Sequence, residues 1–207
     1  MSALPQLQAV QDMADLDAWL DQRLDEKLQE RESSKTPSLT IIATKGTLDQ
    51  AYPPFILAST AAALGWDVTM FFTFYGLSLL KKDLDLKISP LGNPAMPLKI
   101  PVGPEWLKGK SLPIPNLLKA NIPGFEEAAT SLMKETVKQK GVASIEELRE
   151  LCVEADVNLI GCQMTADLFG WDKKEFHPAV QDWAGAATYL PLAQKSDVSL
   201  FIQSGVQ

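Results

Sequence analysis

The sequence predicts an α/β protein: a mainly parallel sheet of about five strands with helices on both faces, preceded by an amphipathic helix. Two observations carry the α/β reading. From residue 38 onward, short apolar or β-branched runs alternate with helix-length stretches, the order of strand–helix–strand units. Several of these runs are apolar at consecutive positions, as strands covered on both faces require. A third observation sets residues 1–35 apart: Leu7, Val10, Met13, Leu16, Leu20, Leu24 and Leu28 recur every three or four positions between charged residues. That spacing is one face of a helix.

The elements follow in order. Residues 1–35 form a helical arm, either packed on its own domain or used for self-association. Ser33-Ser34-Lys35-Thr36-Pro37 is a linker, with Pro37 ending any helical continuation. The α/β domain spans 38–207. Residues 39–43 are the first strand, and Lys45-Gly46-Thr47-Leu48-Asp49 is a polar loop into an Ala-rich helix over 51–64. Gly65 closes that helix in the left-handed C′ position. Residues 67–74 are the second strand, followed by a short helix to Lys82. The stretch 88–123 holds more than half of the 14 prolines, a density no regular element survives. It reads as a long surface loop used as a lid, binding surface or subunit contact. Helices return over 124–140 and from Ser144, whose spacing to Glu147 is a capping-box signature. Residues 157–161 are the third strand and 163–169 a helix. A short strand over 183–187, a helical turn or two over 188–194 and a last strand over 198–202 complete the domain.

Composition narrows the function. A net charge of −7 over 207 residues supplies no basic stripe for nucleic acid. Two cysteines and one histidine make neither a disulfide framework nor a typical structural zinc site. No basic region leads into an apolar core at the N-terminus, so a cytoplasmic protein with reduced thiols is expected. Between Ala51 and Leu80 the only charged residue is Asp67. Gly65-Trp66-Asp67 divides that stretch into pieces shorter than the ~20 apolar residues of a spanning helix, so a buried helix and a buried strand are expected and membrane association is not.

Cys162 is the principal candidate for chemistry. It stands where the apolar run 157–161 ends and the helix 163–169 begins, at the carboxyl edge of the sheet, where α/β sites form. Free N–H groups at a helix start favour thiolate over thiol. Against this stands the ordinary role of a free cysteine as a small buried apolar residue. Cys152 shares a helix face with Ile145, Leu148 and Leu151 and reads as core. From the intervening turn, Cys162 lies roughly 16 Å along a strand and Cys152 only about 5 Å along a helix. A disulfide requires Cα atoms within ~7 Å, so the two do not pair. His177, before Pro178 in a polar segment, reads as a surface histidine. Lys45-Gly46 lacks the glycine pattern of a phosphate loop but can direct one positive charge and backbone N–H groups to the sheet edge as a weak anion site. Asp49, Asp167 and Asp172 have no metal-ligand spacing. Trp66, Trp106, Trp171 and Trp183 read as core or interface anchors. No cofactor and no metal is indicated.

Five segments together resemble a known family. Ile41-Ile42-Ala43-Thr44-Lys45-Gly46-Thr47-Leu48-Asp49, Phe71-Phe72-Thr73-Phe74-Tyr75-Gly76-Leu77, Gly161-Cys162-Gln163-Met164-Thr165-Ala166-Asp167, Ala184-Gly185-Ala186-Ala187-Thr188-Tyr189-Leu190 and Leu200-Phe201-Ile202 occur in the order seen in the DsrE/DsrF-like superfamily. The resemblance covers about residues 38–203 and is strongest to its longer single-chain DsrE-like branch. It implies a homo-oligomeric α/β fold and a cysteine that carries sulfane sulfur as a persulfide or thiosulfonate. Cys162 matches that carrier; Cys152 matches a second cysteine found in some members. Rhodanese-like sulfurtransferases and TusA-like sulfur carriers are the implied partners. The family commonly has Ser at the position of Thr165, Met at that of Phe169, and a central loop rich in Met and Gly where 88–123 is rich in Pro and Leu. The chemistry suits a chain with one histidine, because thiolate attack on an activated sulfur requires neither metal nor general base. The competing expectation is a structural or regulatory homo-oligomer that binds a partner or small ligand through 88–123, with Cys162 merely buried. A thiol redox enzyme is disfavoured by the distance to the second thiol.

Overall fold

The computed structural model describes residues 13–89, 124–180 and 182–203, and the chain divides into two compact units, Met1–Thr36 and Pro37–Gln207. The first unit contains helix α1, Met13–Ser34. Leu20, Leu24 and Leu28 of the expected stripe are exposed along it, beside the i,i+3 ion pairs Arg23–Glu26 and Lys27–Glu30. Leu7 and Val10 lie outside the described residues.

In the second unit the described residues form one five-stranded sheet: β1 Ser38–Ala43, β2 Asp67–Phe72, β3 Asn158–Cys162, β4 Asp182–Ala184 and β5 Val198–Ile202. The spatial order is β4-β3-β2-β1-β5, and every neighbouring pair is parallel. The helices are α2 Leu48–Ala63, α3 Phe125–Gln139, α4 Ile145–Glu154, α5 Gln163–Phe169 and α6 Ala186–Lys195, with 3-10 segments Phe74–Leu80 and Lys173–Glu175. Alternation along the strands builds two apolar clusters. Leu39, Ile41, Met70, Phe72 and Leu159 enter the large core with Phe55 and Ala58 of α2 and Leu148 and Cys152 of α4. Phe71, Ile160 and Cys162 point the other way, into a small cluster closed by Tyr189 of α6. Each large side chain fully buried in this way contributes roughly 1.5–3 kcal/mol, so most of the apolar stabilisation lies on the α2/α4 face.

Local chemistry explains the boundaries. Gly65 has φ +80° after α2, the left-handed stop expected there. Ser144 accepts from the Glu147 N–H and the Glu147 carboxylate accepts from the Ser144 N–H, so the capping box is present. α2 starts at Leu48, ahead of the expected 51, and runs through Pro53 and Pro54. Those prolines leave the Asp49 and Gln50 carbonyls without helical donors, but Pro54 is fully buried in return. β2 stops at Phe72 rather than continuing to 74, because Phe74 takes φ +49°, a conformation a strand does not tolerate. The following segment fits tightly: a Cβ on Gly76 would overlap the Ala43 carbonyl. β4 ends at Ala184, short of the expected 187, and α6 begins at Ala186. Consecutive alanines there favour helix over strand. Most of the Pro-rich stretch 88–123, with Trp106, lies outside the described residues.

Candidate functional site

Cys162 is the last residue of β3 and the N-cap of α5. Its neighbour Gly161 faces the opposite side, where a Cβ would come within 3.0 Å of the Trp183 indole; absence of a side chain there lets the ring lie against β3. Phe72 pairs with Gly161 and Ala184 with Cys162. The register therefore brings Thr73, the residue after β2, beside the thiol. Thr165 arrives from α5, three positions after Cys162. The two hydroxyls lie 3.2 Å apart, and Thr165 Oγ1 accepts the Phe74 N–H at 3.1 Å.

Burial pushes the Cys162 thiol up, but hydrogen bonds from the Thr165 and Thr73 hydroxyls and from the Thr165 and Met164 N–H groups more than offset it. The thiol is held below its ordinary value. All four donors favour the anion, which is what a nucleophilic cysteine requires. Each hydroxyl has one hydrogen. Because the Phe74 N–H already occupies an acceptor site on Thr165, the Thr165 hydrogen is free to turn toward sulfur. α5 has only seven residues, so the stabilisation is local N–H and O–H donation rather than the field of a long helix.

Cys162 is only 3% exposed. It is nonetheless shallow: Phe74 and Met164 beside it are 48% and 63% exposed. Tyr75 and Leu168, on the same two segments, are exposed as well.

The other predicted residues are placed as follows. Cys152 is wholly buried on the α2/α4 face, its thiol 3.9 Å from the Phe55 carbonyl, and burial pushes it up to about 12. Both cysteines are free and sit on opposite faces of the sheet. Lys45 and Gly46 follow β1 at the same carboxyl edge, separated from β3 by β2. Gly46 has no room for a side chain against the Tyr75 carbonyl and the Ser78 hydroxyl. The buried hydroxyls of Thr44 and Thr47 have no hydrogen-bond partner among the described residues. His177 differs from the expected surface histidine. Its side chain is 18% exposed and pairs with Glu150 at 3.3 Å, while Nδ1 accepts the Ala179 N–H; this ties the segment after the Lys173–Glu175 turn to α4. Asp172 caps that 3-10 turn, Asp49 accepts the Ser89 N–H, and Asp167 accepts from Gln163. Trp66, Trp171 and Trp183 pack against the main core.

Sequence reasoning missed Thr73, Thr165 and Tyr189 as parts of the site. Thr165 carried a signal, since a residue three positions past an N-cap has its N–H and side chain near the cap. Thr73 and Tyr189 carried none without the register of the sheet.

Fold and site together define a small parallel-sheet α/β protein that presents one hydrogen-bonded, acidified cysteine at its carboxyl edge. The chain belongs to the DsrE/DsrF/DrsH-like family, which it matches over residues 35–201. It is 56% identical over 164 residues to the sulfur carrier protein DsrE2 of Allochromatium vinosum, covering 79% of this chain and 97% of that one. It is 32% identical over 174 residues to the uncharacterized protein YrkE of Bacillus subtilis, covering 82% of this chain and 99% of the relative. No described helix is long and apolar enough to cross a membrane.

Proposed function

We propose that the protein is a sulfur carrier that holds sulfane sulfur on Cys162, as a persulfide or thiosulfonate, and exchanges it with partner thiols. The observation that carries this reading is the donor set around Cys162: two hydroxyls and two N–H groups that together outweigh burial. A thiolate attacks a sulfane sulfur, the S–S bond of the donor breaks, and the electron pair leaves on the departing group, a thiolate from a persulfide or sulfite from thiosulfate. The 56% identity to a protein named as a sulfur carrier supports the same role. Lys45, between the unpartnered Thr44 and Thr47 hydroxyls, is the candidate anion contact for a sulfonate or donor carboxylate. Cys152, protonated and buried, takes no part in transfer. TusA-like carriers and rhodanese-like sulfurtransferases are the proposed partners, in the cytoplasm, with the chain acting as a homo-oligomer.

The low exposure of Cys162 favours one competing reading, a structural or regulatory homo-oligomer in which the thiol is only core. Intact mass spectrometry after incubation with thiosulfate or glutathione persulfide separates the two. From glutathione persulfide, with glutathione leaving, or from thiosulfate, with sulfite leaving, the carrier gains one sulfur atom (~32 Da), lost in Cys162→Ser and kept in Cys152→Ser. A wild-type chain that stays unmodified and resists alkylation at Cys162 refutes the carrier and leaves the structural oligomer.

A further inference from the structure

Tyr189 is 2% exposed, and its hydroxyl is buried with no hydrogen-bond partner among the described residues. Its ring stacks on Phe71, with centroids 4.9 Å apart and planes 16° from parallel, so the ring is held in place. It shares one small buried cluster with Phe71, Ile160 and Cys162. α6, which carries it, starts two residues after Ala184, the β4 partner of Cys162. A buried hydroxyl without a partner is unfavourable, and phenylalanine would fill the same space without that penalty. Packing therefore explains the ring but not the oxygen.

The donors already described all serve the Sγ atom of Cys162. A persulfide adds a second sulfur about 2 Å further out, and after ionisation the negative charge resides there. In a cluster otherwise made of Phe71 and Ile160, that anion needs a donor. We propose that the Tyr189 hydroxyl is that donor, selecting the sulfur-loaded over the empty cysteine. The inference rests on the carrier reading. The loading step is balanced. With a persulfide donor R–S–SH, the Cys162 thiolate bonds to the outer sulfur, the donor S–S bond breaks, and R–S⁻ leaves with the pair. The proton then passes from the new persulfide to R–S⁻, and there is no net oxidation.

The test is the exchange equilibrium with glutathione persulfide and glutathione, read by intact mass for the wild type and Tyr189→Phe. In the variant the loading constant falls by about tenfold or more, as loss of one hydrogen bond to an anion requires. The alkylation rate of empty Cys162 stays at the wild-type value and the thermal midpoint of the empty protein holds or rises, since the variant removes a buried, unpartnered hydroxyl; a merely structural tyrosine would not separate loading from these. A loading constant within twofold of wild type overturns the inference while leaving the carrier intact. A wild type that never loads refutes the carrier reading, and this inference with it. Should Tyr189→Phe not fold, 3-fluorotyrosine at position 189, a stronger donor of nearly equal volume, must raise the loading constant; an unchanged constant overturns the proposal.

Discussion

Replacing Thr165 by valine tests the central electrostatic argument. Thr165 is 1% exposed, and its hydroxyl both accepts the Phe74 N–H and donates to Cys162. Valine keeps the shape and removes the oxygen. A hydrogen bond to a charged group contributes about 1.5–3 kcal/mol, and each pH unit of a thiol midpoint corresponds to about 1.4 kcal/mol. The Cys162 midpoint should therefore rise by about 1–2 pH units. The orphaned Phe74 N–H costs a further ~1–3 kcal/mol of stability, so the thermal midpoint should fall by several degrees. The assay is the pH profile of iodoacetamide alkylation, resolved by peptide mass. Burial multiplies the rate at every pH by the fraction of time the thiol is uncovered, so it lowers the amplitude without moving the midpoint. Cys152, pushed up to about 12, serves as the unreactive internal control. Thr165→Ser, which retains the hydroxyl, should keep the wild-type midpoint. The sign of the stability effect follows. A thiol lowered by folding stabilises the fold above its unfolded value of ~8.5, and that contribution is lost as pH falls through the folded value. A folded valine variant with an unchanged midpoint refutes the assignment of the Thr165 hydroxyl as a donor to the thiol.

Cys152 should make the fold sensitive to alkali. Raised from an ordinary 9.0 to about 12, it contributes stability that is fully present below the unfolded value and lost as pH rises through the folded one, on the order of 4 kcal/mol in total. Urea midpoints of the wild type should fall from about pH 9 upward, whereas Cys152→Ala should lose this thiol-linked part of the slope. Gly76→Ala forces a Cβ into the Ala43 carbonyl; it should destabilise by roughly 1–3 kcal/mol or rearrange the segment after β2. Thermal melts check this, and an unchanged midpoint would contradict the close approach.

Much of the fold was legible because its signals are local. Gly65 ends α2 for want of a Cβ, Ser144 and Glu147 cap each other across three residues, and the five apolar runs are long enough to be strands wherever they pair. The misplaced boundaries have non-local causes. Residues 183–187 are apolar enough for a strand, yet of these only Trp183 and Ala184 pair with β3 before Ala186 and Ala187 turn into helix. β2 was expected to reach 74, but the Phe74 N–H is taken by Thr165, 91 residues further along the chain. His177 looked exposed by its polar neighbours and is instead covered by its pairing with Glu150.

The same division runs through the site. That Cys162 sits at a strand end before a helix is a local fact, and so is the supply of N–H groups from Met164 and Thr165. How acidic the thiol is depends also on Thr73, which the β2–β3 register brings alongside. How deep it lies depends on Phe71 and Tyr189, which the sheet and α6 bring to one cluster. Cys152 and Cys162 are ten positions apart, and in sequence both are thiols next to apolar residues. Their opposite behaviour comes from the parity of the chain about the sheet. α4 delivers one into the thick core, where desolvation acts unopposed. β3 delivers the other to the thin face at the edge, where four donors answer the same penalty. Reactivity here belongs to the contrast between those two environments rather than to the cysteine itself, so exchanging donors around Cys162 should alter its chemistry while any comparable change around Cys152 alters only stability.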